Sequence, residues 1–420
     1  MSALKNFISE LQRYKKIAIF GYGVEGRSFH KFAKKYLQES EIIIVDSALQ
    51  KSENYLDALH DADIVIKSPG ISLYNLGISW TAYNFTSITE LFIKHFSKQI
   101  IGVSGTKGKS TLVTLIDSML KHAGKKSLLC GNIGLSPLEI IEDIDAETLV
   151  VMELSSHQLH HIGYSPHIAI LTNLFEEHLD YYRNKQEYFD AKFTIFSHQT
   201  SDDIFITNLT NHEDYFSKSM VNAARFYNVH NKELHEPYVF DITKGYIHHA
   251  TLQILETLGE ILGIEHSAYV ETLAAFRTLP HRLEFVTELD GVKYINDSIA
   301  TIPEATMEAI KILKDVDTLI LGGYDRGVDY SGLLEFLEES GVVNIVCFSE
   351  TGKQIYEKMS RSKSNKALFL MPNLEKSLQK AAEVSQNIVL FSPAAASFNE
   401  YKNFMQRGDA FKAFVTNLRR

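Results

Sequence analysis

A three-domain α/β fold, with mostly parallel sheets, is what this sequence predicts. Two observations carry that reading. Short runs rich in Ile, Val and Leu alternate with helix-period stretches along most of the chain, the pattern of strands laid side by side through helical crossovers. Several of these runs also stop at a glycine-rich turn that opens a helix, at Gly21 to Gly26, Gly102 to Ser110 and Gly322-Gly323. In such sheets ligands gather outside the carboxyl ends of the strands. The length of 420 residues suits two to four domains at about 100–200 residues each. The motifs divide the chain at 1–95, 96–278 and 279–420.

Composition narrows the class. Hydrophobic residues make up 45% and charged residues 22%, as in ordinary globular proteins. A formal charge of −10 argues against a general nucleic-acid binder. The opening MSALKNFISELQRYKK has no long apolar core, and no run of 18 apolar residues follows, so neither a signal peptide nor a membrane span is expected. Cys130 and Cys347 end apolar runs, which suggests buried thiols in a reducing, cytoplasmic setting.

In the first segment Ile17 to Phe20, Glu41 to Val45 and Asp63 to Ile66 read as strands. Gly21, Gly23 and Gly26 follow the first, with Asp46 about 20 residues on. Literally this is a dinucleotide fingerprint of a Rossmann-like unit. The same turn serves any nucleotide diphosphate, and nothing later supplies a hydride-transfer site, which disfavours a nicotinamide cofactor.

The second segment holds the central signal. Ile100 to Val103 is a strand, Gly102, Gly105 and Gly108 permit a tight loop, and Lys109-Ser110-Thr111 opens a helix. Backbone N–H groups and a helix N-terminus form an anion cradle, the lysine reaches outer phosphates, and the serine can hold Mg²⁺. The spacing is G-x-x-G-T-x-G-K-S. Further strands at Lys126 to Cys130, Thr148 to Met152 and Ile168 to Leu171 stop at Glu153 and His178, which the sheet rule brings beside the loop as candidate metal ligands. Gln186 to Phe196 reads as an amphipathic helix in which Lys192 is flanked by Tyr188, Phe189, Phe193 and Phe196; taken alone it is a snorkelling surface lysine. Asp202 to Thr207 reads as an edge strand and Leu252 to Leu262 as a helix.

The third segment opens at Leu279-Pro280-His281-Arg282-Leu283-Glu284 and continues through Tyr294 to Thr301. Strands are expected at Thr318 to Leu321, Asn344 to Phe348, Ala367 to Leu370 and Asn387 to Phe391, ending in Ser392-Pro393-Ala394-Ala395-Ala396-Ser397-Phe398.

Together, G-x-x-G-T-x-G-K-S, L-P-H-R-x-E and S-P-A-x-A-S-F with K-N-F and R-G-D resemble the Mur ligase family, above all its glutamate-adding branch. The similarity runs from about Ile17 to the C-terminus. It implies a Rossmann-like UDP-binding domain, a central ATP-binding domain with a phosphate loop, and a Rossmann-like glutamate-binding domain. It also implies a monomer acting on small molecules alone: ATP, a UDP-N-acetylmuramoyl-linked alanine and glutamate, joined through an acyl phosphate. By the same resemblance Gly105, Thr106, Lys107, Gly108, Lys109, Ser110 and Thr111 hold ATP, helped by His281, Arg282 and Asp297. Ser110, Glu153, His178 and Lys192 serve two Mg²⁺ ions, with Lys192 carbamylated, which overturns the surface reading of that lysine. Lys109, His178 and Lys192 are the catalytic set. Val24, Glu25, Asp46, Ser68, Gly70 and Asn132 match UDP-substrate positions, and Thr301, Arg326, Ser397, Phe398 and Phe404 match glutamate positions.

Two stretches depart from the family. Its D-S-K-A-T-N reads Asp297-Ser298-Ile299-Ala300-Thr301-Ile302, and its G-x-H-N-x-x-N reads Gly245 to Thr251 without asparagine. The first leaves open whether D- or L-glutamate is added, the second the adenine contacts. A folylpolyglutamate synthase-like ligase and a non-catalytic nucleotide-binding protein are the rival readings. The first is disfavoured by the complete N-terminal α/β unit and the second by the intact Lys109, Ser110, Glu153, His178 and Lys192.

Overall fold

The computed structural model of the protein describes residues 3–50, 54–175, 177–178, 180–210, 225–236, 240–362, 364–398 and 400–418. Among these residues the strands form three sheets. The first contains β1 (Lys16–Phe20), β2 (Glu41–Val45), β3 (Ile64–Lys67) and the short β4 (Phe85–Thr86), in the order β2-β1-β3-β4 and all parallel.

The second sheet carries β5 (Ile100–Ser104), β6 (Ser127–Gly131), β7 (Leu149–Glu153), β8 (Ile168–Leu171), β9 (Ile204–Thr207) and β10 (Arg225–Asn228). Its order, β10-β9-β8-β5-β7-β6, is again parallel throughout. From β5 the chain moves first to one side and later, at β8, to the other. The point where that direction reverses is where a crevice opens at the strand ends, and it falls at the phosphate loop. The strand expected at the sheet edge, 202–207, is instead flanked on both sides, because β10 pairs with it.

β1, β5, β7, β8 and β9 are almost wholly buried, as helix-covered parallel strands must be. The helix Lys109–His122 buries Leu112, Val113, Leu115, Ile116, Met119 and Leu120, each contributing roughly 1.5–3 kcal/mol relative to exposure. One apolar core runs from Phe7 and Phe29 through Phe92, Val150 and Tyr188 to Phe205. It crosses the division expected at residue 95 without a break.

The third sheet forms a separate compact unit of residues 276–418, joined by 240–247. Its strands are β11 (Glu284–Leu289), β12 (Val292–Asn296), β13 (Thr318–Leu321), β14 (Asn344–Phe348), β15 (Ala367–Met371) and β16 (Ile388–Phe391), in the order β11-β12-β16-β13-β14-β15. All pairings are parallel except the β11–β12 hairpin. That hairpin turns at Asp290-Gly291, both at positive φ, the signature of a tight primed turn. Phe240, Ile242 and Tyr246 pack on the same core as Leu319 and Leu390.

At the end of β13, Gly322 has φ +134°, and a Cβ there would lie 1.9 Å from the Phe348 carbonyl oxygen. Since that neighbour is backbone of the adjacent strand, it has nowhere to go. Gly322→Ala is expected to destabilise the third unit by roughly 2–4 kcal/mol. Urea unfolding followed by tyrosine fluorescence reads this directly, and an unchanged transition midpoint would contradict it.

Candidate active site

The phosphate loop leaves β5 at Ser104 and closes through contacts with the end of β8. Gly105 has φ +143°, and a Cβ would sit 2.0 Å from the Thr172 hydroxyl, so only glycine permits that approach. The Thr106 N–H donates to the Asn173 carbonyl at 2.9 Å and the Lys107 N–H to Asn173 Oδ1 at 2.7 Å. Asn173 Nδ2 and the Thr172 hydroxyl both donate to the Lys107 carbonyl, at 2.9 Å each. Gly108, at φ +81°, then caps the helix Lys109–His122.

Two lysines converge on this loop. Lys109 Nζ donates to the carbonyls of Gly105 (2.9 Å) and Thr106 (3.0 Å). Lys192 Nζ donates to the same Gly105 carbonyl at 2.7 Å, and its residue is only 2% exposed. The surface-lysine reading is therefore wrong for the fold as well. The helix Lys185–Ser197 buries Tyr188, Phe189, Ala191, Lys192, Phe193, Ile195 and Phe196, most of its circumference instead of one amphipathic face. Burial, followed by repulsion from Lys109, lowers the Lys192 ammonium to about 7. The Tyr188 ring lies 5.0 Å from that ammonium, and its hydroxyl meets Thr106 Oγ1 at 3.0 Å.

Glu153 ends β7 and is 1% exposed. Asn132 holds it twice: its N–H donates to the Glu153 carbonyl at 2.9 Å and its Nδ2 to Oε1 at 2.8 Å. Glu153 Oε2 is buried and accepts no hydrogen bond among the described residues. A desolvated carboxylate oxygen without a donor is costly unless a cation completes it, so the residues fit a hard divalent ion at this spot. His178, at φ +60°, is half-exposed, and burial followed by the opposing pull of Glu177 leaves its imidazole pKa below the usual value. Lys107 pairs with Glu177.

Of the UDP-expected residues, Val24, Glu25, Asp46, Ser68 and Gly70 lie at the ends of β1, β2 and β3, while Asn132 follows β6. The Tyr22 N–H donates to Asp46 Oδ2 at 2.6 Å, the Ala48 N–H to Asp46 Oδ1 at 2.8 Å, and the Ser68 hydroxyl to the Gly21 carbonyl at 2.6 Å. One Asp46 oxygen thus holds its own turn and the other the turn after β1, unlike the ribose-binding acid of a dinucleotide fold. Glu25 accepts from Gln158 at 2.8 Å, and burial raises its pKa; Val24 is 70% exposed. Lys67, buried and lowered to about 8, donates to the carbonyls of Ser68 (3.1 Å) and Ile71 (2.9 Å). The Tyr181 hydroxyl meets Lys67 and the Ile71 carbonyl, tying the Ser68–Gly70 turn to the segment that carries His178.

In the third unit, β12, β13 and β16 bring the glutamate-expected residues together. The Arg326 guanidinium stacks over the Phe398 ring at 5.2 Å, and the Ser298 hydroxyl donates to the Phe404 carbonyl at 2.8 Å, three residues before Thr301. Arg407, 1% exposed, braces both loops: Nε donates to the Ser298 hydroxyl, Nη2 to the Ser298 carbonyl, and Nη1 to the carbonyls of Ala395 and Ala396, at 2.9–3.1 Å. Ile299, where the family has lysine, gives its N–H to the His281 carbonyl. Asp297 faces inward, accepting from the Leu283 N–H and the Ser392 hydroxyl, and burial raises it to about 7. His281 is buried at φ +66°, its ring 3.0 Å from Asn296 Nδ2. Arg282 is half-buried beside it.

Comparison with known proteins places this geometry. The Mur ligase middle domain model matches residues 103–265. A UDP-N-acetylmuramoylalanine–D-glutamate ligase of Clostridium acetobutylicum is 32% identical, over 96% of this chain and 97% of its own. This chain belongs to the Mur ligase family. Among solved structures, the MurF ligase of Thermotoga maritima in complex with ADP superposes with a TM-score of 0.58 at 18% identity, over 96% of this chain and 95% of that one. A bifunctional folylpolyglutamate synthase/dihydrofolate synthase of Yersinia pestis shares the fold at a TM-score of 0.55 and 14% identity, over 78% of this chain and 93% of that one.

Asn173, Tyr188, Lys67 and Arg407 were given no site role from sequence. For Asn173 a signal existed, since it ends a strand beside the phosphate loop; the others bear on the site only through folding. Asn173→Ala removes two side-chain bonds to Lys107, each contributing about 1 kcal/mol. Affinity for a fluorescent ATP analogue is expected to fall about tenfold while circular dichroism stays unchanged, and unaltered affinity would refute the bracing role.

Proposed function

We propose that this chain is an ATP-dependent ligase of peptidoglycan precursor synthesis that joins D-glutamate to UDP-N-acetylmuramoylalanine. The observation that carries the reading is Lys192, a buried amine held on the phosphate loop near Glu153 and Lys109. The substrate carboxylate oxygen attacks the γ-phosphorus of ATP, ADP leaves, and an acyl phosphate forms. The glutamate amine then attacks the acyl carbon, phosphate departs, and the nitrogen loses its proton to give the amide.

Lys109 exchanges the Gly105 and Thr106 carbonyls for the outer phosphate oxygens, and the N–H groups of 108–111 at the helix N-terminus cradle the chain of phosphates, while Asn173 holds those of Thr106 and Lys107. Ser110, Glu153, His178 and Lys192 are the residues that would hold Mg²⁺, which when bound neutralises charge on the transferring phosphoryl group. His281, Arg282 and Asp297 are proposed for ATP. Val24, Glu25, Asp46, Ser68 and Gly70 of domain 1–95, with Asn132 of the ATP domain 96–278, are proposed for the UDP substrate. Domain 279–420 takes glutamate through Thr301, Arg326, Ser397, Phe398 and Phe404.

The D configuration follows the name of the full-length relative. Arg326 is the cation proposed to grip a glutamate carboxylate, bidentately and from a position fixed by Phe398, where Ile299 supplies none. Phosphate release with ATP, Mg²⁺ and UDP-N-acetylmuramoylalanine is expected with D-glutamate and at least tenfold slower with L-glutamate; the reverse preference would assign the L-adding variant.

Lys192 is proposed to carry a carbamate: its neutral nitrogen adds to the carbon of CO₂ and releases a proton. Burial favours the neutral amine. With the ammonium lowered to about 7, the neutral fraction grows as pH rises through that value, so carbamate occupancy should climb between pH 6 and 8. A carbon-13 carbamate resonance in labelled bicarbonate measures it. Lys192→Ala is expected to lose most activity and to recover part of it in formate or acetate; full activity without rescue would remove the carbamate.

A further inference from the structure

We propose that this chain binds one zinc-class divalent cation through His235, Glu256 and His266, on the helix pair His249–Ile261 and His266–Ala275 and the loop before it. The candidate ligand atoms of the three residues all lie within 4.8 Å of one another. His235 Nδ1 is 3.0 Å from Glu256 Oε1 and 3.8 Å from Glu260 Oε1. These groups line a cavity of about 230 Å³, together with Met119, Gly259, Ile264 and Tyr269.

A second observation points to a ligand there. The Glu256 side chain is only 3% exposed, yet its Oε2 accepts no hydrogen bond among the described residues. The competing cation, Lys232, spends its short contact on Glu260 at 2.6 Å and stands 3.6 Å from Glu256 Oε2. Glu236 lies 3.9 Å from His266 Nε2. Glu256 and Glu260 therefore share one ammonium, and the more distant of the two, Glu256, is the buried one.

The donor set selects the ion. Two imidazoles and a carboxylate suit Zn²⁺, which takes nitrogen at about 2.0–2.1 Å in a tetrahedron, whereas Mg²⁺ and Ca²⁺ prefer oxygen throughout. The His235 and His266 side chains are 61% and 41% exposed, so both rings have room to turn onto a shared ion. Such an ion would staple the loop at 235 to the helix pair. Met119, in the cavity wall, belongs to the helix that begins at the phosphate loop.

The test is metal retention. Chelator-stripped full-length protein is dialysed against micromolar zinc with millimolar magnesium, and bound zinc is counted by mass spectrometry. Cobalt serves as a second probe, because tetrahedral imidazole ligation gives visible d–d bands. The wild type should keep one zinc per chain. His235→Ala and His266→Ala should each weaken it at least about tenfold with ligase turnover unchanged, and Glu153→Gln should keep it. Unchanged zinc affinity in both histidine variants, or loss of zinc in Glu153→Gln, would overturn the proposal.

Discussion

The Gly105 carbonyl is the point on which the nucleotide half of this protein turns. Two ammonium groups, Lys109 and Lys192, donate to that one oxygen, although like charges at such separation repel. The arrangement holds because the carbonyl is presented by a backbone conformation open to glycine, and because Thr172 and Asn173 pin the loop from β8. A phosphate chain is the anion whose size and charge match a helix N-terminus and a lysine placed at the end of such a loop.

The same crowding explains the neighbouring chemistry. Lys192 is kept near neutrality by burial first and by Lys109 second. Glu153, clamped by Asn132, keeps one oxygen without a donor. A buried carboxylate beside a partly neutral amine is an environment that gains from a bound cation.

The third unit solves a different problem by similar means. Its site loops leave three separate strand ends, and a single buried guanidinium ties two of them together. Arg407 satisfies four carbonyl or hydroxyl contacts and stands 5.9 Å over the Phe391 ring. Its pKa is lowered to about 10 by burial, so it stays charged in the physiological range. The cation that faces outward is Arg326, stacked on Phe398, while Ile299 occupies the place where the family has lysine.

Strand ends, glycine turns and the phosphate loop were legible in the sequence because they are local: apolar runs, φ requirements and helix N-termini are encoded within a few residues. β13 and β14 fall where their apolar runs predict. The β11–β12 hairpin was also encoded locally, at Asp290-Gly291, but β11 has no fully buried position and lacks the apolar run that marks its neighbours. What only the tertiary structure decided is non-local. β10 moves β9 off the sheet edge, packing from several sides buries Lys192, and Arg407 becomes a brace by meeting Ser298, Ala395 and Ala396. A lysine or arginine in a helical pattern looks the same whether it faces water or a carbonyl far along the chain, and packing alone settles which.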